Sequence, residues 1–138
     1  TNVRGTFWLC NMVLPGMAEQ GGGNVIVLSS IAGLRGNTVI GAYGVSKAAE
    51  AALVRNLAVE WGPKNIRVNA IAPGLVRTDF AKALVEDPKR LEQAEQRTPV
   101  RRIGEPVDIA GVAIFLATNA SAYVTGQTLV ADGGETIS

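Results

Sequence analysis

The chain has 138 residues, a formal net charge of +1, one cysteine and no histidine. Without imidazole there is no Ser-His-Asp or Cys-His pair and no zinc site that relies on histidine, and a single cysteine excludes an internal disulfide framework and any CxxC motif. Acid–base chemistry therefore falls to Tyr, Lys or carboxylates, and 13 basic against 12 acidic residues give no electrostatic footprint for nucleic acid or an anionic membrane surface.

Charged residues make up 18% of the chain, fewer than the ~25% of an ordinary domain. Together with 16 glycines, this suits a sheet covered on both faces. No apolar run approaches the ~18 residues of a membrane span, and the first residues lack the basic and apolar regions of a signal peptide. The expectation is a soluble, cytoplasmic protein.

Val3, Phe7, Cys10 and Leu14 recur at helical spacing and predict a helix from Thr1 to Glu19, which Pro15 kinks or ends. After Gly21-Gly22-Gly23, the apolar run Val25-Ile26-Val27-Leu28 reads as a strand buried on both faces. A polar, Gly-rich stretch leads to an Ala-rich helix from Ala42 to Trp61, which Gly62-Pro63 stops. Ile66 to Ile71 is a second strand, ended by Ala72-Pro73-Gly74. Thr78 or Asp79 caps a short helix, Asp87-Pro88 opens another, and Glu105-Pro106 starts a third that runs to about Thr118. Gln127 to Ala131 is the last strand, before the turn Asp132-Gly133-Gly134. This rhythm predicts an α/β fold, a doubly wound parallel sheet of about three strands with flanking helices.

Tyr43 and Lys47 are one turn apart at the start of the long helix and share a face. A phenol ionises near pH ~10, and a neighbouring ammonium favours its ionised form. Taken alone, the pair is equally well a packing Tyr beside a solvated Lys. Ser30 lies just past the first strand, where open α/β sheets bind ligands; Ser29 beside it reads as a residue that satisfies backbone groups at the strand end. Pro73-Gly74-Leu75-Val76-Arg77-Thr78 leaves the second strand at the same edge. There a backbone N–H at Val76 and the Thr78 hydroxyl could hold an amide or a phosphate, although by itself the segment is a turn followed by a cap.

In this order, TNVRG, VLSSIAG, YGVSK, IRVNAIAPGLVRTD, RRIGEP and YVTGQTLVADGG resemble the short-chain dehydrogenase/reductase family across nearly the whole chain. The resemblance implies a Rossmann-like sheet and an NAD- or NADP-dependent oxidoreductase that interconverts a secondary alcohol and a ketone. It implies Tyr43 as general acid–base, Ser30 orienting the carbonyl or hydroxyl, Lys47 assisting Tyr43 and binding the nicotinamide ribose, and Asn2 holding a water of a proton relay. Tyr43, Lys47, Pro73, Gly74, Val76 and Thr78 would line the nicotinamide side of the cofactor site. The partners implied are a small carbonyl or alcohol substrate and a second copy of the chain, as a homodimer or homotetramer.

The family's Gly-rich strand–turn–helix, which receives the pyrophosphate, has no counterpart here, because Gly21-Gly22-Gly23 precedes a strand instead of following one. Residues 1–138 are therefore expected to be the C-terminal catalytic portion of a single domain whose N-terminal cofactor-binding half is absent, with little turnover alone. The competing expectation is a non-catalytic remnant acting in subunit association. A hydrolase built on Ser30 and Lys47 is the weakest reading, since no nucleophile elbow is visible.

Overall fold

The computed structural model describes residues 2–138. Its elements are α1 (Asn2–Glu19), β1 (Gly23–Leu28), α2 (Gly41–Trp61), β2 (Ile66–Pro73), α3 (Lys82–Val85), α4 (Pro88–Gln96), α5 (Pro106–Ala117) and β3 (Thr128–Ala131), with single 3₁₀ turns between some of them. The three strands form one parallel sheet in the order β1-β2-β3, the α/β architecture that the element rhythm predicts.

Register and pleat assign the two faces. Val25 pairs with Val68 and Val27 with Ala70; these residues join Cys10 and Leu14 of α1 and Val54, Leu57 and Ala58 of α2 in one apolar core. Successive side chains alternate across a strand, so Asn24, Arg67 and Asn69 face the other way. There the side-chain amide of Asn24 and the guanidinium of Arg67 both donate to the Leu116 carbonyl of α5. Helices α1 and α2 thus cover one face and α5 the other.

Pro15 neither breaks nor ends α1, which continues to Glu19. A proline forfeits one backbone hydrogen bond, and burial of Cys10 and Leu14 against the sheet holds the helix through that loss. Beyond Glu19, Gly21 at φ 93° permits a Schellman closure, in which the N–H of Gly22 donates to the Met17 carbonyl and that of Gly21 to the Ala18 carbonyl.

The first strand has helices over both faces but is open along one edge. In β1 only Val27 is buried, and Leu28 is 59% exposed, because β2 is its single neighbour in this chain. By contrast, six of the eight residues of the central strand β2 are buried. The second strand also runs two residues further than its apolar run indicates, since Pro73 still pairs with Ala131.

Helix starts follow local chemistry. Asp87 Oδ1 accepts from the N–H groups of Lys89 and Arg90, capping α4. On α5, Asp108 Oδ2 accepts from the Glu105 N–H at 2.7 Å, one arm of a capping box, and Asp108 also accepts two bonds from the Arg102 guanidinium at 2.6 and 2.9 Å. Those Arg102 bonds, with the N–H of Glu105, hold the Asp108 carboxyl down at about 2. Thr78 makes no side-chain cap; its hydroxyl turns back to the Val76 carbonyl at 3.4 Å.

Candidate active site

The candidate residues fall into two groups: Asn2, Ser30, Tyr43 and Lys47 where β1 ends and α2 begins, and Pro73, Gly74, Val76 and Thr78 at and beyond the end of β2. The N–H of Ser29 donates to the Ile71 carbonyl at 2.7 Å, extending the β1–β2 ladder by one residue. Its hydroxyl donates to the Lys47 carbonyl at 3.0 Å, which pins the first turns of α2 to the strand end. Ser30 follows in extended conformation and caps the 3₁₀ turn Ile31–Gly33, its Oγ accepting from the N–H of Ala32 at 3.1 Å.

That turn rests directly on α2 through two glycines. A Cβ on Gly44 would lie 2.6 Å from the Ala32 carbonyl oxygen, and one on Gly33 would lie 2.7 Å from the Ala48 nitrogen. Neither distance is sterically tolerable, so backbone meets backbone here and fixes the Ser30 turn relative to Tyr43. Upstream of the helix, Asn37 Oδ1 accepts from the N–H groups of Val39 and Ile40 at 2.8 and 2.9 Å and shapes the approach.

Tyr43 and Lys47 face together, with Lys47 Nζ 5.6 Å from the centre of the phenol ring. The ammonium also reaches the Leu28 carbonyl at 2.8 Å and Glu50 Oε2 at 2.9 Å. Asn2, on α1, donates to the Ser46 hydroxyl at 3.0 Å, and that hydroxyl donates to the Tyr43 carbonyl at 2.7 Å. The structure therefore brings Asn2, Tyr43 and Lys47 into one α1–α2 cluster beside the end of β1.

Pro73 and Gly74 stand at the end of β2. The N–H of Gly74 donates to the Ala131 carbonyl, and a Cβ on Gly74 would lie 2.9 Å from Asp132 Cα. Burial pushes the Asp132 carboxyl up, but hydrogen bonds from the Thr136 side chain and from the N–H groups of Gly134 and Thr136 outweigh it and leave the carboxyl below its ordinary range. Val76 bridges Gly104 in parallel through the Leu75 carbonyl and the Arg77 N–H, each 2.9 Å from its Gly104 partner. A parallel bridge of this kind turns the N–H of Val76 away from Gly104. Beside it, Arg77, Thr78, Asp79, Lys82, Val85 and Glu86 line an open cleft of about 310 Å³, to which Ser30, Tyr43 and Lys47 do not contribute.

Lys47 supplies an ammonium and Val76 a backbone N–H turned away from Gly104, groups of the kind that hold the polar parts of a nucleotide cofactor; at Gly74 the missing side chain makes room for Asp132 of the turn after β3. Among the described residues, no group of three or more His, Cys, Asp or Glu side chains could hold a metal ion, and no helix is long and apolar enough to cross a membrane.

Sequence reasoning missed Glu50, a carboxylate only 3% exposed, and its second partner Thr6, whose hydroxyl lies 3.0 Å from Glu50 Oε1 and equally far from the Asn2 carbonyl. The signal was present: Glu50 stands three residues after Lys47 and shares its helix face.

A family model described as enoyl-(acyl carrier protein) reductase matches residues 1–136. The chain is 44% identical to dehydrogenase/reductase SDR family member 4 of Bos taurus over 133 residues, covering 96% of this chain and 48% of that protein. Among solved structures, it is 44% identical to a 7α-hydroxysteroid dehydrogenase complexed with NADH and 7-oxo glycochenodeoxycholic acid, with a TM-score of 0.92 over 96% of this chain and 52% of the other. A gluconate 5-dehydrogenase from Burkholderia cenocepacia, in complex with NADP and tartrate, is 34% identical with a TM-score of 0.95 over 99% of this chain and 54% of the other. The chain belongs to the short-chain dehydrogenase/reductase family. It spans about half the length of the curated relatives it matches.

Proposed function

We propose that the protein carrying this chain is an NAD(P)-dependent oxidoreductase that interconverts a secondary alcohol and a ketone. The observation that carries this reading is the placement of Tyr43 and Lys47 on one face at the start of α2, beside the end of β1. Relatives in complex with NADH and with NADP support the cofactor class.

When bound, the nicotinamide supplies or accepts the hydride. Tyr43 gives its phenolic proton to the oxygen of a carbonyl being reduced and takes one from a hydroxyl being oxidised. Lys47 keeps a positive charge beside the ring, which stabilises the negative charge that develops on the phenolic oxygen as its proton leaves. Ser30 keeps its hydroxyl proton free while its Oγ accepts from Ala32, and donates that proton to the substrate oxygen. Lys47 would hold the nicotinamide ribose, the Val76 N–H and the Thr78 hydroxyl the carboxamide, and Pro73 and Gly74 would border the ring at the strand end, where Gly74 lets the Asp132 turn pack close. Asn2 orders the α1 side of the cluster and carries the water through which protons reach Lys47.

Two finer inferences go with this reading. The protein acts as a homodimer or homotetramer in the cytoplasm, and residues 1–138 form the catalytic portion of its single domain. The test is isotopic. The full-length product of the gene is incubated with NADH or NADPH carrying deuterium at C4 and a panel of cyclic and acyclic ketones. Deuterium on the carbinol carbon is the expected result; no transfer to any ketone from either cofactor overturns the reading.

A further inference from the structure

Lys47 has three N–H donors on its ammonium. One goes to the Leu28 carbonyl at 2.8 Å and one to Glu50 Oε2 at 2.9 Å. A single donor is left for everything else the site requires of this lysine. Glu50 is 3% exposed, and its other oxygen sits 3.0 Å from the Thr6 hydroxyl of α1. The carboxylate thus meets groups on two helices: Lys47 on α2 grips one oxygen, and the single proton of the Thr6 hydroxyl on α1 is shared between the other and the Asn2 carbonyl. Among the described residues, Lys47 is the only charged side chain in contact with it.

Burying a carboxylate is costly unless it is paired and hydrogen-bonded. An apolar residue at position 50 would fill the α1–α2 seam without that cost, as Val54 and Leu57 do further along α2. The charge at this position has a geometrical consequence instead. Lysine is a flexible stem carrying a point charge, and with only the Leu28 carbonyl to anchor it, the ammonium could swing about that single bond. Two anchors, one on β1 and one a helical turn ahead on α2, remove that freedom and leave the third N–H with a fixed direction.

We propose that Glu50, braced by Thr6, is a positioning residue of the active site: it fixes the Lys47 ammonium between the end of β1 and α2, so that its charge stays beside the Tyr43 ring and its remaining N–H is left for the cofactor. This rests on the oxidoreductase reading above. Glu50 touches no reacting atom and acts through Lys47.

The experiment uses the full-length gene product and the variants Glu50→Leu, Glu50→Gln and Thr6→Val, each checked for folding by circular dichroism. Two readouts are taken. The first is the rate at which acetic anhydride labels Lys47 without cofactor, read by peptide mass spectrometry against the exposed Lys64 as internal reference. The second is kcat and KM for the carbonyl substrate. An ammonium released from its carboxylate is labelled faster, by at least about threefold in Glu50→Leu, and kcat falls by about tenfold with KM little changed, since the lost interaction matters in the transition state. Glu50→Gln, which keeps an acceptor for Lys47, recovers part of both effects, and Thr6→Val shifts both in the direction of Glu50→Leu but less.

A folded Glu50→Leu protein with wild-type labelling and wild-type kcat overturns the proposal. Should Glu50→Leu fail to fold, Glu50→Gln and Thr6→Val decide: unchanged labelling and kcat in both overturn it. A wild-type protein that transfers no hydride brings down the oxidoreductase reading and this proposal with it, whereas an active wild type with an indifferent Glu50→Leu removes only the role of Glu50.

Discussion

Lys47 and Glu50 form an ion pair 2.9 Å long at the seam of α1 and α2, with side chains only 12% and 3% exposed. A pair this sheltered is asymmetric in its effects: removing one partner strands the other charge, while replacing both with apolar groups of similar size is often tolerated. Lys47→Met should therefore lower stability by about 3 kcal/mol, and the double variant Lys47→Met/Glu50→Leu should recover most of that loss. Urea denaturation of the three proteins checks this; a Lys47→Met protein as stable as the wild type contradicts the buried-pair account.

Gly44 and Gly33 form the seat between α2 and the turn that carries Ser30. The Ala32 carbonyl leaves only 2.6 Å for a Cβ at position 44, so Gly44→Ala must push the turn away from the helix. Overpacking of this kind costs about 1–3 kcal/mol, and a displacement of ~1 Å in a catalytic group can lower turnover about a hundredfold. The expected outcome is a folded, less stable protein with kcat reduced far beyond what its stability explains. Melting curves and steady-state kinetics on the same sample are decisive, and unchanged kcat counts against the seat.

The pH dependence of stability has an identifiable contributor in Asp108. Its carboxyl is lowered from the ordinary 3.8 to about 2 by Arg102 and the Glu105 N–H. Because the folded value lies below the unfolded one, the contribution is complete above the ordinary carboxylate pKa and is lost as pH falls through the folded value. The window runs from about pH 4 down to about pH 2. Asp108→Asn should flatten the fall of the urea midpoint across that window and leave the slope at higher pH alone. An identical profile in the variant excludes Asp108 as a source of the acid lability.

Expression of residues 1–138 alone offers a further check. Leu28 is 59% exposed on the edge strand β1, and exposed apolar strand edges pair with other chains. The isolated chain should self-associate in sedimentation and oxidise NAD(P)H at little or no rate; a monomeric, active product contradicts both expectations.

Much of this fold can be read from local sequence, because its signals are local. Asp87-Pro88 marks a helix start through chemistry contained in four residues, and Ala42 to Trp61 is recognisable as a helix throughout. What escapes is set by distant partners. The run Val25–Leu28 is apolar enough for a doubly buried strand, yet its exposure depends on which strands flank it. Thr78 looks like a cap, but its hydroxyl turns back to the Val76 carbonyl and makes none. Pro15 is absorbed because Cys10 and Leu14 are held by the sheet. In the site, Tyr43 and Lys47 are readable from a helical repeat, whereas Glu50 gains meaning only once Thr6, 44 residues away in sequence, is seen against it.

The central claim is that Tyr43 carries the proton. It is tested most directly by comparing wild type and Tyr43→Phe of the full-length gene product, measuring ketone reduction by the loss of NAD(P)H absorbance and cofactor affinity by fluorescence titration. General acid–base catalysis contributes about 10²–10⁴-fold, so kcat of Tyr43→Phe should fall by at least about a hundredfold while the cofactor still binds. A variant that binds cofactor and turns over at near the wild-type rate would contradict the assignment.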